Sequence, residues 1–266
     1  MMRQRSSSHA VLLVLAGLVA PLAAHAAEER KSFVSCPIVR DTATVPCWLA
    51  EYEGKTYFLT IQSDVSAPVT PPWLGHRVLV EGTVANEPNI CGGIVLKPVH
   101  LSVLPELDPS CNTILPAEDR YNLTFEPPRP PGPSKGRLAF SYAPPPPPPP
   151  PAAATTKEFT VPYDFDGMVG FSHPRYLTPV LSYAKAIDAQ EIEIVGYRGG
   201  ARLSDGRTLL EDAGIGRRRA EQIAMLLKGA QLDGPTYKVS WHDEPPHVTG
   251  KDDYLTRRVV ITVRPR

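Results

Sequence analysis

Eight consecutive prolines, Pro144–Pro151, constrain this chain more than any other feature. Proline lacks an amide hydrogen and has a fixed φ, so such a run can neither join a sheet ladder nor continue a helix. It predicts a polyproline II rod of roughly 25 Å, at about 3.1 Å per residue. Of the chain's 31 prolines, thirteen lie between Pro127 and Pro151, so the excess marks one linker rather than a property of the whole chain. A linker over 126–156 leaves a unit at 31–125 and a second at 157–266. A chain of 266 residues is long enough for two small domains. Within the linker Leu138, Phe140 and Tyr142 alternate, as a short edge strand would.

The N-terminus indicates the compartment. Arg3 and Arg5 precede an apolar run from Ala10 to Leu22, broken by Gly17 and Pro21. Ala24-His25-Ala26 then forms a small-x-small cleavage pattern, so residues 1–26 read as a secretory signal. The run is shorter than the roughly 20 residues a membrane-spanning helix needs. No cysteine stands at the cleavage point to carry a lipid anchor. In a secreted chain the four cysteines, Cys36, Cys47, Cys91 and Cys111, read as two disulfides. Three pairings are open, and local closure favours Cys36–Cys47 with Cys91–Cys111. Zinc is the competing reading, against which stands the absence of a CxxC pair.

The first unit reads as a succession of short strands. Trp48, Ala50 and Tyr52 alternate with polar neighbours, as do Tyr57, Leu59 and Ile61, with Glu53-Gly54-Lys55 as the turn between them. Arg77–Val84 is a further strand with a bend at Gly82, and Ile94–Leu96 and Val99–Val103 continue the sheet. Such strands suggest a small closed β-barrel of the OB-like kind. Trp48, Tyr52, Tyr57 and Trp73 read as core rather than as a binding face, and His76 and His100 as isolated residues.

The second unit reads strand, helix, strand, helix, strand, strand, an α+β arrangement. Phe159–Phe165 opens it as an edge strand, because Pro162 cannot donate to a ladder. Tyr176–Ile187 is a helix whose stripe is Leu177, Val180, Leu181 and Ala184; Glu191–Ile194 alternates as a strand. The second helix begins near Ile215, buries Ala220, Ile223, Leu226 and Leu227, and stops at Gly229. Two strands follow, with Tyr237, Val239 and Trp241 on one face and Val259, Ile261 and Val263 on the other strand's face.

Arg217, Arg218 and Arg219 crowd the first turns of that helix, where the partial positive charge of the helix end disfavours cations. They must be solvated, paired with local carboxylates such as Glu211 and Asp212, or aimed at an anion. Gly196-Tyr197, then Ile215-Gly216-Arg217-Arg218-Arg219-Ala220-Glu221, then Thr256-Arg257-Arg258-Val259 resemble the OmpA-like peptidoglycan-binding domain, over about the last 110 residues. That family has a Gly-His/Tyr-Thr-Asp turn, an Asn-x-x-Leu-Ser-x-x-Arg-Ala helix start and an Asn-Arg-Arg-Val last strand. The resemblance implies an α+β sandwich and places the ligand-binding arginine at Arg219 and the family's asparagine at Asp212. Where the family has Thr-Asp, this chain has Arg198-Gly199, and the loop that follows is longer.

The ligand implied is the diaminopimelate of a peptidoglycan stem, whose end carries an ammonium and a carboxylate. A guanidinium suits the carboxylate through two parallel hydrogen bonds. Asp205, Glu211 and Asp212 are the candidate acids for the ammonium, and Arg257 or Arg258 would either support Arg219 or pair with Asp252 and Asp253. The expectation is a non-enzymatic periplasmic tether, gripping peptidoglycan with its second unit and an outer-membrane or periplasmic protein with its first. The alternative is an interaction scaffold that has lost diaminopimelate binding. No cofactor is expected. With 28 basic and 28 acidic residues, nothing favours nucleic acid as a partner. His242-Asp243-Glu244-Pro245-Pro246-His247 has metal-ligand residue types but reads as a Pro-Pro loop, and no nucleophile–base pattern supports an enzyme.

Overall fold

The computed structural model describes residues 29–63, 69–121, 123, 155–170 and 173–266. The expected signal sequence, the proline run and the Leu138–Tyr142 alternation lie outside them. The described chain is mixed α and β and mostly sheet, with two α-helices and two disulfides.

In the first unit, β1 (Arg30–Ser35), β2 (Pro37–Arg40), β3 (Cys47–Tyr52), β4 (Lys55–Ile61), β5 (His76–Val84), β6 (Ile94–Leu107) and β7 (Ile114–Leu115) form one sheet. Its order is β1-β5-β6-β4-β3-β2-β7. The turn at Glu53-Gly54 is a two-residue hairpin with both residues at positive φ, 51° and 70°, and it pairs Tyr52 with Lys55. This geometry matches the right-handed twist of the flanking strands. The ladder between β5 and β6 shifts register between Gly82 and Val84, at the expected bend. The two stretches expected after it are one strand: β6 starts beside β4 and continues along β5, joining the two halves of the sheet. Phe33, Trp48, Tyr57, Val78 and Leu96 fill the core between them, and Tyr52 stacks on Phe33 at 4.6 Å. Trp73, expected in this core, is instead 61% exposed.

The cysteine pairing differs from the local one expected. Cys36 joins Cys111 and Cys47 joins Cys91, at sequence separations of 75 and 44. Local closure fails because β2 and β3 pair antiparallel, with Cys47 opposite Arg40 and Cys36 just beyond the other end of β2. Among the described residues Cys36, Asp108 and Cys111 are the one group with metal-ligand spacing, and its two sulfurs are already bonded to each other.

The second unit is a four-stranded sheet of order β12-β9-β13-β8, built from β8 (Lys157–Pro162), β9 (Glu191–Tyr197), β12 (Thr236–His242) and β13 (Arg258–Arg264). Helix α1 (Pro174–Ala186) starts two residues before the expected point, with proline in its first turn, where a missing amide hydrogen costs nothing. Helix α2 (Ile215–Gly229) connects β9 to the parallel β12. Val180, Ile192, Ile194, Ile223, Leu227, Val259 and Ile261 form the core between helices and sheet. A strand pair absent from the expectation, β10 (Gly200–Arg202) with β11 (Thr208–Leu210), folds the long loop after β9 into a hairpin.

The two units are docked on each other. Leu79 packs with Phe165, Ala201 and Leu203 in one apolar cluster. The Phe165 amide donates to Ser102 Oγ at 2.9 Å, and Ser32 and Ser204 exchange hydrogen bonds of 2.9 and 2.7 Å. Arg257 forms a buried ion pair with Glu81. His100 is not isolated; its ring stacks on Tyr254 at 3.6 Å.

Two expectations follow. Peptide mapping without reductant should recover Cys36–Cys111 and Cys47–Cys91, with no free thiol. Replacing either pair by serine should cost about 2–5 kcal/mol, whereas a map containing Cys36–Cys47 would refute the topology.

The second concerns pH. Burial, and then the charge of Arg257, hold His100 below its ordinary value of 6.5, and burial lowers His173 likewise. Below 6.5 the unfolded chain takes up these protons more readily, so their contribution is complete above 6.5 and is lost as pH falls. Glu81 acts in the opposite sense: burial raises its carboxyl above 4.5 despite the pull of Arg257, so its contribution declines as pH rises through that region. Urea unfolding between about pH 7.5 and 5.5 should therefore show a smaller loss in His100→Gln than in the parent. An identical pH dependence would exclude His100 as a contributor.

Candidate functional site

The candidate site begins where β9 meets α2. Gly196 and Gly216 are the point of closest approach between strand and helix: a Cβ on Gly196 would overlap the Gly216 carbonyl. Beyond Tyr197 the chain turns through Arg198 and Gly199 into the hairpin. The turn is tightly packed, since a side chain at Gly199 would run into Arg257. The hairpin returns the chain to Glu211, and Gly214, at φ 78°, opens α2 without a side-chain cap.

Arg219 points inward from this helix and is 0% exposed, as is Glu211. Its Nη1 and Nη2 donate to the two Glu211 oxygens at 2.9 and 2.6 Å, a paired geometry. Its Nε donates to Gly167 O at 2.9 Å, and Nη2 and Nη1 also reach Asp164 O at 3.1 Å and Tyr197 O at 3.4 Å. A guanidinium has five N–H donors, and these contacts use all of them. Tyr163 lies against the guanidinium, 4.5 Å from ring centroid to Cζ. Glu211 is equally occupied: it also accepts from the amides of Asp166 at 2.8 Å and Gly199 at 2.6 Å. The acid at this turn thus comes from the far end of the hairpin, hydrogen-bonded to the Gly199 amide.

The other candidates stand apart. Asp212 is exposed and lies 3.7 Å from Arg218. Asp205 is on the hairpin tip, with its carboxyl held below the usual range by hydrogen bonds from the Arg207 backbone and side chain. Arg258 donates to Leu255 O at 2.8 Å and lies over Tyr197. Arg217 pairs with Glu221 at 2.8 Å and covers Trp241. Neither Asp252 nor Asp253 pairs with Arg257: Asp252 meets Arg30, and Asp253 accepts from the amides of Arg202, Thr249 and Gly250. Of the sequence candidates, only Arg219 and Glu211 come together. Each arginine of the cluster has its own carboxylate.

Sequence reasoning missed Tyr163, Asp164 and Asp166, which follow β8. Burial raises both aspartates above the usual carboxylate range, against the opposing charges of Arg257 and Arg219 on Asp164 and of Arg219 on Asp166. Their signal was the acid–aromatic alternation Tyr163-Asp164-Phe165-Asp166, immediately after the proline that ends the strand. His242 lies 3.6 Å from Glu244 and stacks on Tyr197, and no metal-ligand group among the described residues includes the His242–His247 loop.

No protein-family model matches the chain, and no curated protein matches it either.

The arrangement offers a buried cation already saturated by its own carboxylate. Removing one partner strands the other in a dry interior, at a cost of about 3–5 kcal/mol. Arg219→Ala and Glu211→Ala should both unfold at correspondingly lower urea. Glu211→Ala leaves a carboxylate-sized gap beside an intact guanidinium. Acetate should restore part of its stability while chloride at equal ionic strength does not. Equal effects of the two salts would mean that the gap collapses.

Proposed function

We propose that this chain is a non-enzymatic scaffold of the cell envelope, working in the periplasm. Its C-terminal unit keeps an OmpA-like frame without the diaminopimelate grip. The signal-like N-terminus, the paired cysteines and the order of the OmpA-like motifs support the compartment and the frame. A four-stranded sheet with a parallel β9–α2–β12 crossover suits an OmpA-like sandwich, and a seven-stranded sheet around an aromatic core suits an OB-like unit.

The single observation that carries the reading is the occupancy of Arg219. Glu211 holds the guanidinium through the paired hydrogen bonds a stem carboxylate would need. Three backbone carbonyls take the remaining donors. A peptidoglycan stem would have to displace a buried carboxylate that also accepts two amide hydrogen bonds. This favours the scaffold over the wall tether. Its partner is then an envelope protein, held by the docked pair of units rather than by two domains swinging on a rod.

The test is sedimentation of the mature chain with purified peptidoglycan, with and without free diaminopimelate. The scaffold leaves the protein in the supernatant in both. Retention on the wall that free diaminopimelate abolishes would overturn it and restore the tether.

A further inference from the structure

Outside the arginine centre, the docking of the two units leaves a cleft of about 270 Å³. Trp73, Leu101 and Leu104 of the first unit form one wall, and Asp164, Phe165 and Asp166 of the second form the other. A neighbouring cavity of about 360 Å³ shares Asp164 and is also lined by Tyr163.

The charges here do not balance locally. Arg219 is paired with Glu211 and Arg257 with Glu81, so neither guanidinium is left to pair with an acid of the cleft. Asp166 has one oxygen on the Asp212 amide at 2.7 Å. The Asp164 side chain makes no hydrogen bond or ion pair with any described residue; only its backbone carbonyl is used, by Arg219 and by the Gly167 amide. Asp164 is exposed to solvent, yet the protein packed around it raises its pKa. Tyr163, which lines the neighbouring cavity, is 5% exposed, and its buried hydroxyl has no hydrogen-bond partner among the described residues. Trp73, a large aromatic left open at the mouth, is steadied by the edge of His76 at 6.0 Å.

A carboxylate without an ion-pair partner among the described residues, beside an apolar wall that ends in an open indole, is complementary to one class of ligand. We propose that the cleft between the two units binds an organic cation, with its protonated nitrogen on Asp164 and its apolar body against Leu101, Leu104 and Trp73. The indole face adds cation–π attraction, strongest for tryptophan among the aromatic side chains. An inorganic ion does not use the apolar wall, and an anion meets two carboxylates. The cavity suits a primary amine on a short stem, whether free or presented as a lysine-like side chain. The site is composite, since neither unit alone holds both the acid and the indole. It does not need the scaffold reading, although both draw on the closure of Arg219 by Glu211.

The test is calorimetric titration of the mature full chain with pentylamine and benzylamine, beside the neutral isosteres pentanol and benzyl alcohol. The amines should saturate a single site, with the alcohols at least about tenfold weaker. Asp164→Asn should weaken the amines by about the same factor, Trp73→Ala by several-fold, and Asp119→Asn, an exposed acid elsewhere, not at all. The Trp73 indole N–H resonance should shift on titration. A lysine-containing tripeptide run beside the free amines distinguishes a cation on a chain from a small-molecule one, and saturation by either supports the site. Should Asp164→Asn lose its fold, the amine–alcohol comparison on the parent chain decides alone. Equal affinity of amines and alcohols, undiminished amine binding in folded Asp164→Asn, or no saturable amine binding would each overturn the proposal.

Discussion

Two arginines that solvent does not reach determine how this molecule is assembled. Arg219 and Arg257 are its largest fully buried side chains, at 0% and 1% exposure. A guanidinium taken out of water must find a carboxylate and good hydrogen bonds, or the fold cannot bear it. Arg219 finds Glu211, thirteen residues' worth of hairpin beyond the end of β9, and so ties the loop to the helix. Arg257 finds Glu81 on β5 of the other unit, and so ties one sheet to the other. Such pairs add little net stability compared with apolar residues of equal size. They act by penalising every arrangement in which the partners separate. A hairpin in another register, or units docked another way, would leave a charge stranded.

The strands and helices were legible because they rest on local physics. Alternation located β3, β4, β9 and β13, the turn residues marked the Glu53-Gly54 hairpin, and a 3.6-residue stripe located α2. What failed depended on contacts between distant residues. The cysteine pairing followed the antiparallel pairing of β2 with β3, which places Cys36 and Cys47 at opposite ends of a ladder. No spacing in the chain encodes that. The proline run suggested separated units, whereas the docking surface is built from single residues such as Ser32, Ser102 and Glu81, none of which stands out within its own strand.

The site was half legible, for a reason that can be stated residue by residue. Ile223 and Leu227 lie on the buried stripe of α2, and Arg219 stands four and eight positions before them, on the same side. A cation on the core side of a helix requires a buried acid, so the sequence carried the demand. It did not carry the answer. Asp205, Glu211 and Asp212 are all acids of one polar loop, the family resemblance favours Asp212, and the three-residue strands β10 and β11 that decide among them are too short to show alternation. The hairpin puts Asp205 at the tip, turns Asp212 toward solvent and delivers Glu211 to the guanidinium.

The same closure shapes the cleft. With both guanidiniums satisfied internally, Asp164 faces the space between the units without an ion-pair partner among the described residues. If Arg219 were free, it would be the natural partner for that carboxylate, and the cleft would lose its negative character. Glu211 therefore does two things by one contact: it makes the core neutral and leaves the cleft acidic. Because Trp73 belongs to one unit and Asp164 to the other, the cleft exists only while the units are docked, which is the arrangement the Arg257–Glu81 pair enforces. Buried charge, which contributes little to holding a fold together, here fixes where the remaining charge faces.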